Sequence, residues 1–329
     1  MECRLCIIVQ KNGVCPIYNI FGNCIMNPQI TVIIPAYRRK NYLFFALDRI
    51  LVQKDVTMEI LVFSEVMGPD EVDEVTTAYP QVKYFKTDKY RGASEKRKAG
   101  ISMAHGEFLY MPDDDDYLTD DYFFKKSIDI LDEDSDLAFV SGNLMIRHEK
   151  NGELIKEEKY IVNIQGKKKG LDYLQNLQIR YKKPYSTVST IFRKRVFQDR
   201  NYKEMYEVSD VCMYMNALLW GDAFILNKIV AVYRFHDNNL TFSLPREFMM
   251  HVIKEKERVY LDSIGLLDDS KAFWYEHYRK TYLFYRDGKP SRKNKLSFLF
   301  WGLFHSHASK KVVSFCMKEM LKVFIISNE

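Results

Sequence analysis

Residues 113–116 are four consecutive aspartates that follow directly on the apolar segment 108–112. That segment, entered through His105 and Gly106, is typical of a short buried strand, so the carboxylates are predicted to emerge together at a strand end. Like charges this close raise the pKa of at least one member unless a cation lies among them. Carboxylate oxygens suit Mg²⁺ or Mn²⁺, and the position after a strand favours such a site over the alternative, a solvated acidic turn.

The length and composition are those of an ordinary globular protein. With 329 residues, 47% of them hydrophobic and 28% charged, the chain can bury a sizeable core. No run of eighteen apolar residues occurs, so no single helix is predicted to span a membrane. The first residues lack the sustained apolar core of a signal peptide, and the chain is therefore expected in the cytoplasm.

Strand and helix patterns alternate from residue 30 to about residue 145. A β-branched segment at residues 30–37 predicts a strand, a helical pattern follows at residues 42–52, and a second strand is predicted at residues 59–63. This alternation predicts an α/β protein with a mostly parallel sheet flanked by helices.

Ligands of such sheets bind beyond the carboxyl ends of the strands, where Pro35, Glu65 and Asp113 are expected to lie. The chain contains neither Gly-x-Gly-x-x-Gly nor Gly-Lys-Ser/Thr. Their absence argues against a dinucleotide enzyme and against a P-loop NTPase, so a nucleotide would have to be held in another way.

The order of these motifs resembles that of family 2 glycosyltransferases with a GT-A (Rossmann-like) fold. The resemblance rests on a strand ending in Pro-x-Tyr at residues 35–37, a helix start with Gly92, Ser94 and Arg97, and Gly-Glu-(apolar)-Asp-x-Asp-Asp at residues 106–116. It covers residues 30–120 closely and residues 185–243 more loosely. It implies a GT-A domain at residues 28–245, with residues 28–120 as the nucleotide-sugar half and 121–245 as the acceptor half, followed by a helical, basic region at residues 246–329.

For the donor, the resemblance implies a loop against the nucleotide base and a cation near the diphosphate. The loop residues are Pro35, Ala36 and Tyr37, and Arg97 is the cation. A packed aromatic at the strand end is the alternative interpretation of Tyr37, and an exposed helix cation is that of Arg97.

The aspartate run aligns with the family's Asp-x-Asp. The resemblance implies that Asp115 contacts the metal and that Asp113 contacts the ribose or a metal-bound water, with Asp114 between them as part of the donor site. His236, in a sequence similar to the family's closing Tyr-Arg-x-His loop, is expected to bind the metal or the diphosphate. An ordinary satisfied histidine is the alternative.

One departure affects the choice of nucleotide. The family usually has Asp-Asp-Gly-Ser after the second strand, whereas this chain has Ser64 and Glu65 followed by Val and Met. Glu65 is the acid left to accept a hydrogen bond from a uracil ring, which leaves UDP favoured but not fixed.

For the acceptor, the resemblance places the catalytic base at the start of a helix, where Ser209 and Asp210 replace the family's Glu-Asp pair. Asp210 is the expected base, which takes the proton from an acceptor hydroxyl. The alternative is a helix cap formed by either residue.

Charge is uneven along the chain. Residues 167–195 contain nine lysines and arginines against one acid, which predicts a phosphate-facing stretch. The segment from Lys289 onward is also basic. It contains the apolar run 296–304 and apolar residues at helical spacing over 312–325, which suit either an anionic membrane surface or a helix packed on the catalytic domain. No nucleic-acid reading motif accompanies either stretch, so nucleic-acid binding is not expected.

Four of the six cysteines lie in the first 24 residues, at Cys3, Cys6, Cys15 and Cys24. The Cys-x-x-Cys pair suggests zinc, but the further spacing fits no standard finger. Residues 1–27 are therefore predicted to be a cysteine-containing extension, and disulfides are not expected in a reducing cytoplasm.

The resemblance to family 2 glycosyltransferases implies an inverting, metal-dependent glycosyltransferase. Its donor would be a nucleotide-diphosphate sugar, and its acceptor a hydroxyl of a glycan or lipid-linked glycan, as in cell-surface polysaccharide synthesis. Two alternatives remain: a metal-dependent nucleotidyltransferase, and a noncatalytic nucleotide-sugar-binding protein that retains the fold.

Overall fold

The computed structural model describes residues 27–37, 39–65, 69–87, 92–236 and 245–325, apart from the side chains at positions 65, 69–73 and 87. The four N-terminal cysteines and the side chain of Glu65 lie outside the described residues. The predictions of a zinc site and of a uracil-binding acid therefore stay predictions.

A ten-stranded sheet forms the centre of the fold, in the order β3-β2-β1-β4-β9-β6-β10-β5, with β7 beside β6 and β8 beside β10. The strands are β1 (Ile30–Tyr37), β2 (Met58–Glu65), β3 (Val82–Thr87), β4 (Phe108–Tyr110), β5 (Tyr117–Leu118), β6 (Leu137–Lys150), β7 (Glu153–Tyr160), β8 (Gly166–Lys168), β9 (Thr190–Arg193) and β10 (Asp222–Phe235).

Helices flank this sheet and continue beyond it. They are α1 (Lys40–Leu51), α2 (Pro69–Ala78), α3 (Gly92–Met103), α4 (Phe123–Glu133), α5 (Gly170–Asn176), α6 (Lys194–Asp199), α7 (Asp210–Trp220), α8 (Arg246–Asp262), α9 (Ser270–Asp287), α10 (Arg292–Phe304) and α11 (Lys310–Ile325), with a short 3₁₀ turn at Thr187–Ser189. The predicted α/β class is confirmed.

The sheet is mixed but, as predicted, mostly parallel, because β1–β4, β6 and β10 run in one direction. Parallel pairing joins β3, β2, β1 and β4, and it also joins β6 to β10. The strand β9 runs antiparallel between β4 and β6, and β5, β7 and β8 also pair antiparallel. The alternation of patterns covered only residues 30–145, and most antiparallel strands come later in the chain.

The sequence of β1 explains its central place. Five residues in a row, 30–34, are fully buried, as expected for a strand covered on both faces. Val32 and Ile34 pack on the side of α1 and α4, whereas Ile33 belongs to the core on the opposite side, which extends into the C-terminal helices. The helices α8–α11 thus share a core with the sheet.

Gly106 brings the aspartate run to the end of β1. A Cβ at this position would lie 2.5 Å from the backbone nitrogen of Thr31, so only glycine allows the approach. The Gly106 N–H donates to the Thr31 hydroxyl at 2.9 Å, and β4 then pairs in parallel with β1. Because β4 ends at Tyr110, the chain reaches residues 113–116 beside the carboxyl end of β1.

No helix among the described residues is long and apolar enough to cross a bilayer.

Candidate active site

The four aspartates have four different surroundings. Asp113 is the most exposed, at 38% of its side chain, and its Oδ1 accepts a hydrogen bond from Nη2 of Arg97 at 2.6 Å. Arg97 is itself buried, and its Nη1 donates to the carbonyl oxygen of Val208 at 2.9 Å. One guanidinium thus joins the aspartate run to the loop that leads into α7.

Asp114 contacts the end of β1 and Arg39. Its Oδ2 accepts the backbone N–H of Tyr37 at 2.8 Å, and its Oδ1 lies 3.5 Å from Nη1 of Arg39. Burial raises the pKa of Asp114 to about 6, although Arg39 and the Tyr37 amide both oppose the shift. Any effect of Asp114 on a donor would therefore act through the end of β1.

Asp115 is buried between an imidazole and a guanidinium. Its Oδ2 lies 3.0 Å from Nε2 of His236 and also contacts Arg39. The His236 ring stacks on Tyr42 with centroids 5.2 Å apart and an interplanar angle of 15°. Burial, followed by the charge of Arg39, lowers the pKa of His236, so the imidazole is neutral near pH 7.

Asp116 is the innermost member of the run. It accepts hydrogen bonds from the backbone N–H of Arg234 at 2.9 Å and from the Ser186 hydroxyl at 3.1 Å. Burial and then the charge of Asp113 raise its pKa well above the usual value. A divalent cation beside it would stabilise the ionised form.

The carboxylates of Asp113, Asp115 and Asp116 meet at one point. One oxygen from each lies within 4.8 Å of the others, and a set made only of carboxylate oxygens suits a hard divalent cation. The predicted residues Asp113, Asp115 and His236 are therefore brought together, and Asp116 joins them. The sequence had given Asp116 no role because it follows the second acid of Asp-x-Asp.

Two arginines at this site were given no role in the sequence analysis. Arg39 follows Tyr37 by two positions and contacts both Asp114 and Asp115. A cation just after the first strand, at the edge where ligands bind, was the signal available for it.

The second arginine, Arg234, supports the backbone of the aspartate run. Its guanidinium carbon lies 4.7–4.8 Å from the ring centroids of Tyr42, Phe45 and Tyr117. Its Nη1 donates to the backbone carbonyl of Asp115 at 3.4 Å. Such cation–π contacts hold an arginine in one place.

The predicted base-contacting residues form the end of β1 itself, and their contact with a nucleotide base stays a prediction. Pro35, Ala36 and Tyr37 pair in parallel with the last three residues of β2, of which Glu65 is the final one. Nζ of Lys96 donates to the carbonyl of Ala36 at 2.8 Å and lies 5.9 Å from the Tyr37 ring centroid.

Asp210 is the first residue of α7, and Ser209 precedes it as the N-cap residue without a side-chain capping hydrogen bond in the described structure. Burial raises the pKa of Asp210, the charge of Lys183 opposes this, and the charge of Asp113 adds to it. Lys183 is half-buried and donates to the carbonyl of Pro184 at 2.8 Å. Asp210 thus faces both an acid of the aspartate run and a lysine.

Glu207, three residues earlier, has a different position. It is buried, and its pKa is raised to about 6, mainly by burial, while a hydrogen bond with the Ser94 side chain and the charge of Arg97 oppose the shift. The neighbouring Val208 N–H also donates to the Ser94 hydroxyl at 2.9 Å. These contacts fix the loop against α3.

Four of the nine basic residues in the stretch 167–195 pair with acids from elsewhere in the chain, and its phosphate-facing role stays a prediction. Examples are Lys167 with Asp134 at 2.6 Å, Lys169 with Asp222 at 2.9 Å and Arg193 with Glu107 at 3.1 Å. At the end of this stretch the 3₁₀ turn precedes β9, which therefore starts only at Thr190.

Known proteins are similar to this chain over most of its length. A family model described as "Glycosyl transferase family 2" matches residues 31–220. An uncharacterized glycosyltransferase of Rickettsia conorii is 24% identical over 256 residues, which are 76% of this chain and 40% of that protein. The GalNAc(5)-diNAcBac-PP-undecaprenol beta-1,3-glucosyltransferase of Campylobacter jejuni is 25% identical over 244 residues, which are 73% of either protein. The chain thus spans about two fifths of the rickettsial relative.

Among solved structures, S. aureus TarS 1-349 in complex with UDP-GlcNAc has a TM-score of 0.61 and 16% sequence identity. The similarity covers 82% of this chain and 79% of that one. At this identity the likeness concerns the fold, and the expected GT-A architecture is confirmed.

Proposed function

This chain belongs to glycosyl transferase family 2 and is a glycosyltransferase, and we propose that it transfers a sugar from a nucleotide-diphosphate sugar to a hydroxyl of a glycan or lipid-linked glycan, with inversion. The observation that carries the proposal is the guanidinium of Arg97, which contacts both Asp113 and the carbonyl of Val208, two residues before Asp210. A candidate metal-binding carboxylate and a candidate base are therefore linked through one guanidinium.

The donor site is built around Asp113, Asp115 and Asp116, which would hold Mg²⁺ or Mn²⁺. When bound, such an ion offsets the negative charge that develops on the departing nucleotide diphosphate. Arg39 adds a positive group at the same place, and His236 offers a neutral imidazole to the ion or to a phosphate oxygen. A UDP-sugar is the proposed donor, supported by the UDP-GlcNAc bound to the TarS structure, with Pro35, Ala36, Tyr37 and Glu65 around the base.

Asp210 is the proposed base. The acceptor hydroxyl loses its proton to the carboxylate of Asp210 while its oxygen bonds to the anomeric carbon. The bond from that carbon to the diphosphate oxygen breaks at the same time, and its electrons leave with the nucleotide. Lys183 and Arg97 favour the ionised form of Asp210, which the reaction requires.

The two halves of the GT-A domain are proposed to bind different substrates. We assign the donor to residues 28–120 and the acceptor to residues 121–245. The name of the Campylobacter relative, which describes a lipid-linked glycan, supports an acceptor of that class in polysaccharide or glycolipid synthesis.

The C-terminal helices are the proposed contact with a membrane. Residue Phe304 at the end of α10 is 86% exposed, and Leu321, Phe324 and Ile325 are exposed on α11. Four lysines, Lys310, Lys311, Lys318 and Lys322, lie on α11 with them. Apolar and basic side chains on one helix suit the anionic inner face of a plasma membrane, where a lipid-linked acceptor would be met.

A turnover assay with a panel of nucleotide-sugars tests the proposal. Release of nucleoside diphosphate that depends on both acceptor and divalent cation is the expected result. Release of pyrophosphate from a sugar phosphate and a nucleoside triphosphate would instead identify a nucleotidyltransferase. Tight donor binding with neither product would identify a binding protein.

A further inference from the structure

Two imidazoles and one carboxylate meet in the C-terminal helical region, apart from the aspartate run. Glu257 lies on α8, His305 follows the last residue of α10, and His307 lies in the connection to α11. Nδ1 of His305 and Nε2 of His307 lie 2.7 and 2.6 Å from the same oxygen, Oε1 of Glu257. The ligand atoms of the three residues all lie within 4.8 Å of one another.

We propose that Glu257, His305 and His307 form a second metal site, which binds Zn²⁺. Imidazole nitrogen with a single carboxylate suits this ion, whereas Mg²⁺ prefers a set made entirely of oxygen. Two neutral imidazoles and one carboxylate give the site one negative charge against the two positive charges of the ion. Three protein ligands leave the fourth tetrahedral position to water.

The surrounding aromatic residues fix both imidazoles before any ion arrives. The His305 ring stacks on Trp301 with centroids 4.1 Å apart and an interplanar angle of 11°. Nε1 of Trp274 donates to the backbone carbonyl of His305 at 3.0 Å. The His307 ring lies 5.0 Å from Tyr260 and 5.8 Å from Trp274. Rings held in this way lose little freedom when they bind a metal.

The backbone of the connection also has a constrained form. His307 and Ala308 have φ angles of 50° and 58°, in the left-handed region, which residues other than glycine adopt only at a cost in free energy. This conformation accompanies the contact of His307 with Glu257. A cation held there would help to offset the cost.

Binding requires only a small adjustment. Zinc–nitrogen bonds of about 2.0–2.1 Å place tetrahedral ligand atoms roughly 3.3 Å apart, so the present contacts would open by less than about 1 Å. The side chains of His305 and His307 are 40% and 26% exposed, which gives the ion a route from solvent. Once bound, it would tie α8 to the α10–α11 connection across 48 and 50 residues of sequence.

Calorimetric titration with Zn²⁺ tests the site. The full chain would carry serine in place of Cys3, Cys6, Cys15 and Cys24, and Asp115→Asn, so that thiols and the aspartate run do not compete. One equivalent of zinc is expected to bind. The double variant His305→Asn/His307→Asn should bind it at least about a hundredfold more weakly, since even outer-shell partners of a metal contribute about 10–100-fold.

The control is His251→Asn, on α8 but outside the cluster, which should bind zinc like the parent chain. Glu257→Gln is the second variant and keeps a hydrogen-bond acceptor for both rings. It should weaken zinc binding at least about tenfold, with an unchanged circular dichroism spectrum. Equal zinc affinity in the parent, the double variant and Glu257→Gln would overturn the proposal, and so would a parent chain that binds no zinc.

Discussion

Nη2 of Arg97 lies 2.6 Å from Oδ1 of Asp113, and the same guanidinium donates to the carbonyl of Val208 at 2.9 Å. The first contact reaches the aspartate run, and the second reaches the loop that positions Asp210. The proposed donor and acceptor sites therefore share one buried anchor. A change at Arg97 should affect both.

The Arg97→Met variant tests this coupling. It leaves Asp113 without its partner and the buried Val208 carbonyl unsatisfied, which should lower the free energy of unfolding by about 1–3 kcal/mol. Affinity for the donor should fall at the same time. Urea unfolding and donor titration measure the two effects. Arg195→Met, which removes an exposed pair with Asp199, is the control and should change neither.

The Asp115→Asn variant should abolish metal-dependent nucleotide binding while the fold remains intact, because it removes a negative ligand without changing shape. Asp113→Asn should weaken binding less. Titration of nucleoside diphosphate with and without Mn²⁺ measures the effect, with Asp121→Asn as a control in a pair with Arg49 outside the cluster. Unchanged Mn²⁺ dependence in Asp115→Asn would contradict the assignment of Asp115 as a metal ligand. A loss of metal-dependent binding only in Asp116→Asn would instead identify Asp116 as the main metal ligand.

The sequence predicted the donor half of the fold better than the acceptor half. A buried β-branched strand and a strand followed by acids are local patterns, so β1, β4 and the position of residues 113–116 could be predicted directly. The antiparallel insertion of β9 depends on pairing between residues far apart, such as Phe108 with Arg193. No local period encodes such a pairing.

The same limit applies to the site. The family resemblance singled out Asp113 and Asp115, but it did not show which aspartate side chains would turn inward. Asp114 and Asp116 differ because one accepts the amide of Tyr37 and the other that of Arg234, 118 residues away. The apolar spacing of residues 312–325 predicted a helix. It did not show which face of that helix packs against the protein. In the structure the buried residues are Val312, Cys316 and Met320, whereas Leu321 and Phe324 are exposed.

Glu207 predicts a pH dependence of stability. Its pKa is raised from the usual 4.5 to about 6, chiefly by burial. Since the folded state holds this proton more tightly than the unfolded state, the contribution to stability is present below about pH 4.5 and is lost as the pH rises through 6. The shift corresponds to roughly 2 kcal/mol. Urea unfolding at pH 4.5 and pH 7.5 should therefore show Glu207→Gln gaining about that much on the wild type. A constant difference between the two proteins would refute this account.

Membrane contact through α10 and α11 can be tested by point substitution. Deleting the helices would also remove the buried Val312 and Cys316 from the core. Phe304→Ser/Leu321→Ser/Phe324→Ser should weaken binding to anionic liposomes at least about tenfold, since each large apolar side chain contributes roughly 1.5–3 kcal/mol when buried. The control is Ile264→Ser/Leu266→Ser, which removes exposed apolar residues away from the basic helices. Equal liposome binding by both variants in a sedimentation assay would count against the contact.

Asp210 provides the most direct test of the proposed chemistry. The Asp210→Asn variant should bind donor and metal normally yet transfer sugar at least about a hundredfold more slowly, the usual scale for losing a general base. Because burial raises the pKa of Asp210, the wild-type rate should fall as the pH drops through that raised value, and the residual rate of the variant should lack this step. Ser209→Ala is the matched control: Ser209 makes no capping side-chain hydrogen bond in the described structure, so its loss should leave turnover nearly unchanged. Near-wild-type turnover of Asp210→Asn at saturating donor and acceptor would exclude Asp210 as the base and direct the same assay to Glu207→Gln.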